Sequence, residues 1–217
     1  MRVLALALPV AGGALGAKPP RNAPSCARPG TQPVFISPMG EPFRVAPGEP
    51  YPSAVWFSGA DRNKDGELTR GELVADAARF FAQLDADRDG RLTPDEVAAY
   101  EFKIAPETAL FATRPDDFYD RERRRRHEPD AMGRSSDYGG AMGAGRYAWL
   151  NIPEPVAAAD QDFDRVVTAT EFADAAGRAF DALKVGGAGA LKLAALPRTP
   201  AQIGIEGPCR SPKDRTR

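Results

Sequence analysis

The sequence predicts an all-α fold of four helix–loop–helix units in two tandem pairs, with short β-bridges between loops and long irregular tails. Three observations carry this expectation. From Asp61 to Glu96 the chain twice places oxygen-bearing side chains at alternate positions of a twelve-residue segment, with glycine sixth. The two segments begin 24 residues apart, at Asp61 and Asp85, and the stretch between them has helical periodicity. A related pattern returns at Asp160, so the second half repeats the first. The tails follow from the 21 Gly and 21 Pro among 217 residues, many of them near the two ends.

The first segment offers Asp61, Asn63, Asp65, Glu67, Thr69 and Glu72 at positions 1, 3, 5, 7, 9 and 12. The second offers Asp85, Asp87, Asp89, Arg91, Thr93 and Glu96. Alternate oxygens suit a hard cation with six to eight ligands, around which the backbone winds. Gly66 and Gly90 fill position 6, where the chain turns sharply and a Cβ is unwelcome. Position 7 supplies only a backbone carbonyl, so Glu67 and Arg91 can both occupy it. Glu72 and Glu96 close the sphere with two oxygens each from the first turn of the following helix. Acidic turns with Asp as helix caps would explain some of these residues, but not every position filled twice. The 36 residues from Asp61 to Glu96 resemble the EF-hand superfamily, in particular the secreted bacterial proteins that carry several hands. The resemblance implies calcium as the bound ion. It also implies that Leu68 and Leu92, at position 8, form β-bridges to partner loops.

The first hand's entering helix is expected over Ser53 to Ala60, with Val55, Trp56 and Phe57 on its apolar side. Leu73, Ala77, Phe80, Phe81 and Leu84 recur at spacings of three and four, which predicts a helix from Thr69 to Leu84. Pro94 suits the first turn of the next helix, expected to end near Lys103. Only 12 residues, none Gly or Pro, separate Glu72 from Asp85. One helix therefore serves as exit of the first hand and entrance of the second. At 1.5 Å per residue it holds the two loops roughly 18 Å apart, beyond the ~5 Å reach of a β-bridge. Loop partners must come from the other half: the first with the fourth, the second with the third.

Asp160, Asp162, Asp164, Val166, Thr168 and Glu171 form the third loop. Arg165 replaces the position-6 glycine, so strain or distortion is expected there, at a cost of about 1 kcal/mol or more, and weaker calcium binding. The fourth loop, by register, is Lys184 to Ala195. Gly189 and Leu191 keep positions 6 and 8, but the ligands are gone. Phe172 to Leu183 matches Leu73 to Leu84.

The segments are read as a signal peptide over 1–17, a Pro/Gly-rich stretch over 18–50, hands one and two over 51–104, a linker over 105–148, degenerate hands three and four over 149–197, and a tail over 198–217. Val3 to Ala17 is apolar and follows Met1 and Arg2, which suggests export to the periplasm or beyond. It is too short to span a bilayer, so no stable membrane insertion is expected. In Phe35 to Arg44, FISPMGEPFR is expected to lie across the domain surface. Cys26 and Cys209 flank the core, and the sequence leaves open whether they form a disulfide or stay separate thiols.

From Tyr51 to Glu101 there are 11 acidic and 6 basic side chains, a balance that two calcium ions would largely neutralise. The arginine run in DRERRRRHEPD (Asp120 to Asp130) lies among acids and glycines without aromatic interleaving, so it reads as a solvated connector and no nucleic-acid partner is expected. His127, the single histidine, has no Cys or second His nearby, and no catalytic set can be assembled. The expected function is calcium binding in a structural or buffering role. The alternative is a calcium-dependent sensor that exposes a groove for a protein partner.

Overall fold

The computed structural model describes residues 32–108, 140–184 and 186–206. The proposed signal peptide, Cys26, Cys209, His127 and the arginine run lie outside these residues. The elements in chain order are β1 (Val34–Ile36), β2 (Pro42–Arg44), α1 (Ser53–Ala60), β3 (Leu68–Thr69), α2 (Arg70–Leu84), β4 (Arg91–Leu92), α3 (Pro94–Ala99), β5 (Val167–Thr168), α4 (Ala169–Leu183), β6 (Ala190–Leu191) and α5 (Pro200–Glu206). A π-helical turn, Tyr100–Ile104, prolongs α3 to within a residue of the expected end.

Helix α2 is the long shared helix. Thr69 caps it, accepting from the Glu72 N–H while the Glu72 side chain reaches back to the cap. Its apolar stripe, Leu73, Ala77, Phe80, Phe81 and Leu84, is buried throughout. Helix α4 has the same length and the same capping box, with Thr168 and Glu171. The two helices pack on each other and run antiparallel. Phe81, near the end of α2, packs against Phe172, near the start of α4, with ring centroids 5.5 Å apart and the planes tilted by 58°. At the other end Arg70 lies 3.9 Å from Asp181. Gly177 lets the Arg70 side chain cross the α4 surface: a Cβ there would lie 2.1 Å from the guanidinium.

This stacking sets the loop partners. β3 pairs with β6, Leu68 facing Leu191, and β4 pairs with β5, Leu92 facing Val167. All four of these apolar residues are buried. The loop pairs therefore join the two halves, as the length of α2 demands.

Three expectations need correction. First, FISPMGEPFR does not lie across the surface. It folds into the β1–β2 hairpin, and Val34, Phe35, Ile36 and Met39 are buried. Phe35 sits in an aromatic cluster with Trp149 at 4.7 Å and Trp56 at 5.8 Å between centroids. Gly40 turns the hairpin at φ +97°, and a Cβ there would meet the Tyr100 hydroxyl at 2.7 Å; that hydroxyl donates to the Gly40 carbonyl. Second, Val55 is 54% exposed, whereas Trp56 and Phe57 are buried. Third, the second half has one long helix, where two hands with a shared middle helix would have three. A 3₁₀ turn, Ala157–Ala159, precedes the third loop, where Pro153 and Pro155 limit helix formation. Another, Leu193–Ala195, forms the last three positions of the fourth loop, where an exiting helix would begin. With the hairpin added, an all-α description is too narrow.

Residues 140–148, read in the sequence as the end of the linker, pack against the hairpin. Ala144 and Ala148 are buried beside Val34 and Ile36, and the Ile36 N–H donates to the Tyr147 carbonyl. Nearby, Glu154 is half-buried and its carboxylate accepts from the Val156 and Ala157 N–H groups. Burial pushes its pKa up to about 7, partly offset by those donors and reinforced by Glu101. A raised folded pKa means the native state holds this proton more tightly than the unfolded chain. The contribution is favourable below about pH 4.5 and fades as pH rises through 7. The melting temperature of Glu154→Gln relative to wild type, at saturating calcium, is therefore expected to climb from pH 5 to pH 8. A flat difference would exclude this account.

Candidate metal centre

The first three loops share a common set of local hydrogen bonds. At position 1, Oδ2 of Asp61, Asp85 and Asp160 accepts from the N–H of residue 6, namely Gly66, Gly90 and Arg165, at 2.9, 2.9 and 3.0 Å. At position 3, Oδ1 of Asn63, Asp87 and Asp162 accepts from the N–H of residue 5, at 3.1, 3.2 and 3.2 Å. At position 5, Oδ1 of Asp65, Asp89 and Asp164 accepts from the N–H of residue 7, at 2.8 Å in each loop. These bonds curl the backbone so that alternate side chains converge on one centre.

The glutamates at position 12 are held from both sides. One oxygen of Glu72, Glu96 and Glu171 accepts from the threonine at position 9 through its N–H and hydroxyl. The other accepts from the N–H of Arg62, Ala86 or Gln161 at position 2. These position-2 donors escaped sequence reasoning, because a backbone N–H carries no residue signature. The threonine donors lower the pKa of Glu72, Glu96 and Glu171, and that of Glu171 falls to about 2. All three are carboxylates at neutral pH, as calcium requires.

In the second loop single oxygens of Asp85, Asp87 and Asp89 lie within 4.8 Å of one another, and in the third those of Asp160, Asp162 and Asp164 do so. Three carboxylates so close repel one another unless a cation sits between them. The first loop has Asn63 in place of one carboxylate, and its amide donates to Asp65 at 2.8 Å. The all-oxygen donor sets fit calcium in each of the three loops. At position 7 the side chains turn elsewhere: Glu67 pairs with Lys192 at 2.8 Å, and Arg91 lies 3.9 Å from Asp164. Val166 has no polar side chain to offer. Only the backbone carbonyl is left to serve at that position.

Arg165 takes the strained alternative rather than distorting the loop. Its φ is +72°, beside +81° at Gly66 and +80° at Gly90. Arg165→Gly is expected to stabilise the protein by about 1 kcal/mol, or roughly 3 °C in Tm, and to tighten the third loop's calcium binding. An unchanged or lower Tm would show that the left-handed turn costs nothing there. The fourth loop differs from its sequence reading. Gly186 and Gly187 carry positive φ and Gly189 does not, so only Leu191 keeps its expected place.

A family model described as EF hand matches residues 54–75 and 77–99. The first match covers α1, the first loop and the start of α2; the second covers the rest of α2, the second loop and α3. These tandem hands place residues 54–99 in the EF-hand superfamily, whose domains are calcium-binding units. No curated protein and no solved structure matches the chain. Among the described residues no helix is long and apolar enough to cross a membrane.

Proposed function

We propose that the protein is a calcium-binding protein with ions in its first, second and third loops and an ion-free fourth loop, acting as a structural or buffering element rather than an enzyme. One observation carries the reading: the hydrogen-bond pattern of the two family-matched loops recurs in the third, down to the position-6 turn that Arg165 must strain to make. The second half then represents two worn hands whose loops still pair and whose flanking helices have shortened. The apolar Val3 to Ala17 run favours export. Outside the cytoplasm, hands with Kd of about 10⁻⁴–10⁻³ M are occupied and stabilise the fold.

The shared core favours this role over that of a sensor. α2 belongs to both family-matched hands and packs along α4, so neither hand can open a groove without parting the two halves. A calorimetric calcium titration tests the proposal. Two sites and a weaker third are expected, with a Tm that rises with calcium. No heat and no rise in Tm at millimolar calcium would end the reading. A large gain in ANS fluorescence on calcium addition would favour the sensor instead.

A further inference from the structure

The fourth loop has lost its ligands but not its place, and its position 9 has changed character. In the first three loops position 9 is Thr69, Thr93 or Thr168, which holds the glutamate at position 12. In the fourth, position 12 is Ala195, so residue 9 has no glutamate to hold, and it is Lys192. The antiparallel register decides where Lys192 goes. Leu68 faces Leu191 and Thr69 faces Ala190, so one step further along places Glu67 across from Lys192. Side chains alternate along a strand: Leu68 and Leu191 point into the core, and Glu67 and Lys192 point out of it. The Lys192 ammonium meets the Glu67 carboxylate at 2.8 Å.

We propose that the ion-free fourth loop acts in trans on the first, with Lys192 as a fixed cation that lowers the first loop's affinity for calcium. The inference rests on the calcium reading of the first loop given above. Glu67 does not ligate through its side chain, but its charge lies beside Asp65, which does. Lys192 cancels that charge and adds its own repulsion toward an incoming divalent ion. The field of Asp65 reaches Lys192, adding to the larger effect of Glu67 in raising the lysine's pKa. In the other loop pair the same slot holds Arg91 across from Thr168. There the third loop keeps its own Thr168–Glu171 bond and contributes no cation to the second.

The test is a calcium titration of the full chain followed by amide NMR. The Gly66 N–H, bonded to Asp61, reports the first loop, and the Gly90 N–H, bonded to Asp85, reports the second. In Lys192→Gln the Gly66 midpoint is expected to move to roughly threefold to tenfold lower calcium at low salt, and to shift less at high salt. The Gly90 midpoint is expected to stay in place, and Lys192→Arg to behave as wild type. A Gly66 midpoint that does not move, or one that moves together with Gly90, overturns the inference. A wild-type Gly66 that ignores calcium defeats the calcium reading itself, and that is visible before any variant is made.

Discussion

Replacing Asp76 with alanine is expected to cost about 3 kcal/mol of stability and roughly 10 °C in Tm. Asp76 is 8% exposed and acts as a buried junction. One oxygen accepts from the Trp56 indole N–H at 2.9 Å, and the other from Arg79 at 3.0 and 2.7 Å. Arg79 continues to Glu41 beside the hairpin. One carboxylate thus ties α1, the first hand's entering helix, to α2 and to β1–β2. Without it the indole N–H is buried with no acceptor, and Arg79 keeps only Glu41. Asp76→Asn retains an acceptor for Trp56 and is expected to cost less than half as much. Thermal or urea unfolding of both variants checks this. A loss below about 1 kcal/mol for the alanine variant would mean that the hairpin and α1 are held by apolar packing alone.

The second large effect is on ion binding. Glu96→Gln is expected to weaken the second loop's calcium affinity by a factor of about 10 to 100. A carboxylate offers two anionic oxygens; an amide offers one neutral oxygen and turns N–H protons toward the cation. The substitution also weakens the reach from Glu96 to the Thr93 and Ala86 N–H groups, which closes the loop. Calorimetry should show one strong site lost, and Glu72→Gln should do the same for the first loop. Glu171→Gln should remove less heat, because the third loop begins with the strain at Arg165. Unchanged stoichiometry in Glu96→Gln would show that the second loop is not a site.

Much of this was legible in the residues because its causes are local. A loop of alternating acids with glycine sixth and apolar residues spaced by three and four are each set by short-range backbone geometry. Even the loop partners could be reasoned out, since a 12-residue helix keeps Leu68 and Leu92 apart. The hairpin was another matter. Phe35 and Ile36 lie in a Pro/Gly-rich stretch that reads as surface chain, and the residues that bury them, Trp56 and Trp149 around Phe35 and Ala144 and Ala148 beside Ile36, are distant in sequence. Val55 was misplaced for the same reason: α1 is short and apolar nearly all round, so its sequence does not say which side meets the core.

By itself the sequence determined the spacing of the candidate ligands, the glycine turns at Gly66 and Gly90, the register of the two long helices, and the separation of the first two loops. Only the tertiary structure decided that the hairpin is buried, that Arg165 bends to the turn a glycine would make, and that Lys192 faces Glu67. The division has one physical reason. Ligand spacing and capping are settled within a few residues by bond geometry, whereas burial and cross-loop charge pairs depend on surfaces that meet only after the two halves have packed.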